Sequence, residues 1–178
     1  INYGTIKNSA KHGVYITQGT SKIRNSNVSN NAQRGIHVYN YPGGNSLSIE
    51  GNTISSNAQG GVYVYMYAGV STISDNTITN NSGTGLIATD GASATTHTIS
   101  KNFISGNIGS GGYGAYGGGI FVNNPNATIS NNIVINNSGS TGGGMYVTDG
   151  GYNVTQTITN NVIAHNSAAQ GGALYLSS

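Results

Sequence analysis

The chain has 178 residues, room for one domain, and only 6% of them are charged, with a net charge of +2; about 25% is usual. So little charge argues against a nucleic-acid surface, which needs clustered Lys and Arg, and Lys7, Lys11, Lys22, Arg24 and Arg34 read as solvated surface. There is no cysteine for disulfides or thiolate metal sites, and no apolar run approaches the ~20 residues of a membrane helix.

A short phrase recurs along the chain, in its fullest form Ile-x-x-Asn-x-Ile-x-x-Asn. Its clearest copies are Ile73–Asn76–Ile78–Asn81, Ile99–Asn102–Ile104–Asn107 and Ile129–Asn132–Val134–Asn137. Each copy is followed by Gly and an alternating apolar stretch. A unit this short cannot bury its own apolar face, so the units must stack. Low charge and 29 glycines suggest disorder, but aliphatics in fixed register do not. Alternation over four to six residues between turn residues predicts short strands and no helix. The expected fold is all-β, a right-handed parallel β-helix of about seven coils in one domain over residues 1–178, with like positions about 4.8 Å apart.

The inward residues follow in chain order. The first coil supplies Ile6, Val14, Ile16 and Ile23, and the second Val28, Ile36, Val38 and Ile49. The third supplies Ile54, Val62, Val64 and Ile73, and the fourth Ile78, Leu86, Ala88 and Ile99. Ile104, Ile120, Val122 and Ile129 belong to the fifth, Val134, Met145, Val147 and Ile158 to the sixth, and Ile163, Leu174 and Leu176 to the seventh. The chain starts and stops in mid-pattern, which predicts a segment of a longer protein or a unit stacked end to end.

Two asparagine columns accompany this core. One runs Asn52, Asn76, Asn102, Asn132, Asn161, and the other Asn31, Asn57, Asn81, Asn107, Asn137, Asn166. Stacked amides can donate to one coil and accept from the other, and Asn tolerates the left-handed conformation expected at such corners. Recurrence in every coil points to structure and not to catalysis.

These repeats resemble those of right-handed parallel β-helix proteins, the group holding pectate lyases, polygalacturonases, alginate epimerases and NosD proteins. Residues 166–175, Asn-Ser-Ala-Ala-Gln-Gly-Gly-Ala-Leu-Tyr, are also similar to repeats of bacterial autotransporters. The resemblance implies the fold and says little of activity, because the shared residues are structural. The pectate-lyase site, several acidic calcium ligands and an arginine base on adjacent coils, has no counterpart among Glu50, Asp75, Asp90, Asp149, Arg24 and Arg34.

One outward column after the Gly reads Tyr15, His37, Tyr63, Ile87, Phe121, Tyr146, Tyr175, with Tyr39, Tyr65, Tyr41 and Tyr67 beside it. This aromatic stripe is the candidate binding surface. It predicts ring stacking or self-packing against an insertion or partner, or a glycan platform. As a platform, it would have Tyr63, Phe121 and Tyr146 exposed beside a groove lined by Asn and Asp90. Asp90, Asn124 and Asp149 share a second column, which sets the carboxylates about 9–10 Å apart, at the upper edge for an inverting glycosidase pair. His12, His37, His97 and His165 fall in four different columns, so no stacked metal ligands are expected. His37, beside Tyr15, Tyr39 and Tyr63, is the best candidate base. Outward hydroxyls at Thr72/Ser74, Thr98/Ser100, Thr128/Ser130 and Thr157/Thr159 resemble the rows of ice-binding solenoids. The insertion Ile108–Gly118, with Tyr113 and Tyr116, is a further candidate contact surface. Sequons at Asn27, Asn80, Asn126, Asn136 and Asn153 match chance in so Asn-rich a chain.

The expected function is a non-catalytic extracellular or cell-surface structural solenoid, a spacer, adhesin or fibre element. Copies of the same chain are the expected partners, polysaccharide a further one, and no cofactor is called for. A polysaccharide lyase, hydrolase or epimerase with its site partly outside this chain is one alternative, and an ice-binding solenoid another.

Overall fold

The computed structural model describes residues 1–41, 44–91, 95–109, 116–123, 126–151 and 154–177. Tyr113, Asn124 and Asn153 lie outside the described residues. Within them every regular element is a strand, numbered in chain order, and the chain visits three parallel sheets in turn. Sheet 1 stacks β1 (Thr5–Lys7), β4 (Asn27–Ser29), β7 (Thr53–Ser55), β10 (Thr77–Thr79), β13 (Phe103–Ser105), β16 (Ile133–Ile135) and β19 (Val162–Ala164). Sheet 2 stacks β2 (Val14–Ile16), β5 (Ile36–Asn40), β8 (Val62–Met66), β11 (Leu86–Asp90), β14 (Ile120–Asn123), β17 (Met145–Thr148) and β20 (Leu174–Ser177). Sheet 3 stacks β3 (Ser21–Arg24), β6 (Asn45–Glu50), β9 (Gly69–Ser74), β12 (Thr95–Ser100), β15 (Asn126–Ser130) and β18 (Gln156–Thr159). The result is a parallel β-solenoid of a little over six turns, because the seventh coil reaches only sheets 1 and 2.

The register is the one the repeat predicts. Ile6, Val28, Ile54, Ile78, Ile104, Val134 and Ile163 pair in succession down sheet 1. Ile23, Ile49, Ile73, Ile99, Ile129 and Ile158 do so down sheet 3. These columns and the inward pairs of sheet 2 form one continuous core. Burial gives way only at the ends of the stack, where a coil has one neighbour: Ile6, Ile16, Ile158, Ile163 and Leu174 are half-buried and Leu176 is exposed.

Both asparagine columns are hydrogen-bonded ladders. Asn76 Nδ2 donates to Asn102 Oδ1 of the next coil at 3.0 Å and to the Ile49 carbonyl of the preceding coil at 2.8 Å. Asn76 Oδ1 accepts from the backbone N–H and the side chain of Asn52, both at 3.0 Å. The second column repeats the pattern from Asn31 to Asn166. Ser26 takes the asparagine position at the head of the first column, its N–H donating to Asn52 Oδ1.

The left-handed residue is not the ladder asparagine, as expected, but the residue before it. Asn30, Ser56, Asp75, Asn80, Lys101, Asn131, Asn136, Asn160 and His165 all have φ between 55° and 58°. A ladder asparagine must keep an ordinary backbone to aim its amide along the stack, so the reversal falls one position earlier. Gly51 and Gly106 fill that position in two coils, at φ 65° and 67°.

Candidate functional site

The outward face of sheet 2 carries the aromatic stripe in the predicted register: Tyr15, His37, Tyr63, Ile87, Phe121, Tyr146 and Tyr175 are successive partners. The structure divides it into three parts with different surroundings.

The C-terminal part is closed. Tyr116, at the end of the insertion, lies 5.9 Å from Phe121 and 5.4 Å from Tyr146, ring to ring. Phe121 is 3% exposed as a result, and Ile87 beside it is equally buried. The exposure of Phe121 that a continuous platform requires is therefore not met, because the chain covers that ring itself. Tyr146 and Tyr175 stack at 5.0 Å with planes 13° apart and are half-buried.

Tyr39, Tyr41, Tyr65 and Tyr67 form an open quartet. Tyr39 stacks on Tyr65 at 4.8 Å, 10° from parallel, and Tyr41 meets Tyr67 edge to face at 5.0 Å. Tyr39, Tyr41 and Tyr67 are exposed and Tyr65 half-buried. Gly91 in the next coil makes room for them, since a Cβ there would strike the Tyr65 hydroxyl and the Tyr67 ring.

At the N-terminal end lies an imidazole–guanidinium corner. His12 Nε2 and His37 Nδ1 are 3.1 Å apart, and the rings meet edge to face at 4.4 Å. The two histidines meet although they occupy different columns, as the alignment has them: His12 aligns with Arg34 of the next coil, and His37, three residues on, reaches back across columns. The Arg34 N–H donates to His12 Nδ1 at 3.3 Å, its Nη1 lies 3.5 Å from His37 Nδ1, and its guanidinium covers Tyr63 at 4.5 Å. Tyr15 packs on both imidazoles and keeps 58% of its surface exposed. Burial, then His12 and Arg34, push the His37 pKa down to about 4; burial, then Arg34 and Lys11, lower that of His12.

The acidic column does not form a cleft. Leu86, Ala88 and Asp90 alternate inward on β11, so Asp90 is 3% exposed and lines no groove beside the rings. Burial raises its pKa to about 7, against the pull of a hydrogen bond from Thr95. Asp149 instead closes its own turn, accepting from the Gly151 N–H at 2.8 Å. His97 is also inside, two residues before the core Ile99. Its Nδ1 bonds Ser71 Oγ, its Nε2 is buried without a hydrogen-bond partner among the described residues, and burial lowers its pKa to about 4. The period of two that located Ile99 and Ala88 also marks His97 and Asp90 as inward, a signal the column alignment overlooked.

The hydroxyl row keeps its register down sheet 3, from Thr72 through Thr98 and Thr128 to Thr157, half-buried in the first two and exposed in the last two. Among the described residues no three His, Asp or Glu side chains converge as metal ligands, and no helix is long and apolar enough to cross a membrane.

No curated protein and no solved structure matches the chain. Residues 1–178 match the family described as "Right handed beta helix region". With its parallel sheets, stacked aliphatic columns and asparagine ladders, the chain belongs to this right-handed β-helix family.

Proposed function

We propose that the chain is a non-catalytic structural solenoid of the cell exterior or cell surface, a spacer, adhesin or fibre element whose open tyrosines contact polysaccharide. The observation that carries this reading is how its reactive side chains are used. Glu50 pairs with Arg24 at 3.1 Å, Asp75 occupies a left-handed corner, Asp149 closes a turn, and Asp90 and His97 lie within the core. Among the outward rings of sheet 2, Tyr39, Tyr41 and Tyr67 form an open cluster beside Tyr65, while Tyr15, also exposed, packs on the His12–His37 corner. Flat rings with hydroxyl tips suit the faces and edges of sugars, and a rigid sheet holds them at fixed spacing without an ordering cost on binding.

Self-association through the same face is the second reading, favoured by the low charge, since charge normally keeps soluble monomers apart. Retention on a panel of insoluble polysaccharides, with light scattering in parallel, separates the two. We expect retention on at least one polymer, reduced about tenfold or more in Tyr39→Ser/Tyr67→Ser with the circular dichroism unchanged. Growth in mass with concentration, lost in the same variant and without sugar retention, would shift the assignment to copies of the chain. Turnover of a uronate polymer that disappears in His37→Ala or Asp149→Asn would replace the structural reading with an enzymatic one.

A further inference from the structure

The protons of the His12–His37 corner can be placed by elimination. A backbone N–H only donates, so the Arg34 N–H, 3.3 Å from His12 Nδ1, makes that nitrogen an acceptor. The neutral His12 ring then carries its proton on Nε2 and donates it to His37 Nδ1, 3.1 Å away. Arg34 Nη1 faces the same His37 nitrogen at 3.5 Å, so the His37 proton also sits on Nε2. Each link has one workable direction.

We infer that His12 and His37 form a pH-sensitive clasp between the first and second coils, shut while both rings are neutral and broken when either takes up a proton. A proton added to His12 Nδ1 would confront the Arg34 N–H. One added to His37 Nδ1 would confront the His12 Nε2–H and the Arg34 guanidinium together. The charges acting on the pair have one sign: Lys11 and Arg34 on His12, Arg34 and a protonated His12 on His37. The other titratable groups packed on it, Tyr15 and Tyr63, present rings, and Tyr63 holds Arg34 in place from below. The same tautomers disfavour a shared metal ion. Coordination at His12 Nε2 would drive its proton to Nδ1, against the Arg34 N–H.

The sign of the pH effect follows. Both folded values lie below the unfolded 6.5, that of His37 at about 4. As pH falls below 6.5 the opened state takes up protons first, so the clasp is at full strength above that value and is lost progressively toward pH 4. Nitrogen–proton NMR correlation of the imidazoles from pH 8 to pH 3.5, with amide protection corrected for intrinsic exchange, tests this on the intact chain. We expect both rings as Nε2–H tautomers at pH 7 and His37 titrating well below 6.5. Protection at residues 11–15 and 33–38 should fall about tenfold or more through the window, and His12→Gln and His37→Gln should lose that step. An Nδ1–H tautomer at His12, ordinary titration of both rings near 6.5, or an acid step that persists in both glutamine variants would overturn the clasp. The tautomer and titration readouts need no variant, so they decide even if a glutamine chain fails to fold.

Discussion

Asp90 ends β11 and His97 lies midway along β12, both facing the core, and they bend the stability curve in opposite senses. Asp90, at about 7 in the fold and 3.8 outside it, keeps a proton that the unfolded chain has released. Its contribution is therefore fully present below 3.8 and is lost as pH rises through 7. His97, at about 4 against 6.5, does the reverse and costs stability as pH falls from 6.5 to 4. Between about pH 4 and 6.5 the two slopes oppose, so removing one should reveal the other. Urea denaturation of Asp90→Asn should show it more stable than the parent at pH 8 by roughly 1–3 kcal/mol, with little difference at pH 4. Equal effects at both pH values would mean that the carboxyl does not titrate as its burial dictates. Both residues were legible as inward from the period of two. The His12–His37 contact was not, because it joins residues offset along the chain and comparison of equivalent positions cannot show a diagonal reach.

At the scale of the element, the ladder and the glycine column hold each strand to the next. Asn107 Nδ2 donates to Asn137 Oδ1 and to the Ile78 carbonyl, both at 3.0 Å, while its Oδ1 accepts from the N–H and side chain of Asn81. Asn107→Ala would strand these buried partners, and thermal or urea unfolding should show a loss of roughly 1–3 kcal/mol. Ser74→Ala, on β9 and outside the ladder, removes a buried hydroxyl and should cost less than Asn107→Ala. The glycine that precedes β2, β5, β8, β11, β14 and β17, replaced by Ala173 before β20, serves space, not backbone freedom. A Cβ at Gly85 would lie 2.8 Å from Asn107 Nδ2, 2.8 Å from the Gly119 carbonyl and 2.9 Å from Ile104 Cγ2. Gly85→Ala should therefore destabilise by roughly 1–3 kcal/mol through overpacking, despite the entropy an alanine removes from the unfolded chain. A neutral or stabilising result would show that the coil can spread there. The recurrence of Asn and Gly made both columns readable. Placing the left-handed corner was harder, since Asp, Ser, Lys and His occupy it as well as Asn, and no residue type marks it.

Across the whole molecule, the repeat sets a straight stack and its departures from the repeat decide which surface is open. The aromatic stripe was legible as a column, because outward residues fall at a fixed offset from the Gly. Its covering was not, because Tyr116 comes from an insertion with no counterpart in the other coils and nothing in the repeat says where such a segment folds. Tyr116 packs over Phe121 and Tyr146 in the C-terminal part, whereas Tyr39, Tyr41 and Tyr67 stay exposed nearer the N-terminus. Tyr116→Ala should uncover Phe121 while leaving the sheet beneath it paired, because β14 is held by β11 and β17 and not by the insertion. Binding of an apolar dye should rise, and unfolding should move by about 1–2 kcal/mol for the lost ring contacts and buried area. Retention on polysaccharide should not change, since Tyr39, Tyr41, Tyr65 and Tyr67 lie in other coils. If retention instead rises with the dye signal, Phe121 and Tyr146 belong to the same contact surface as the open tyrosines, and Tyr116 is its cover.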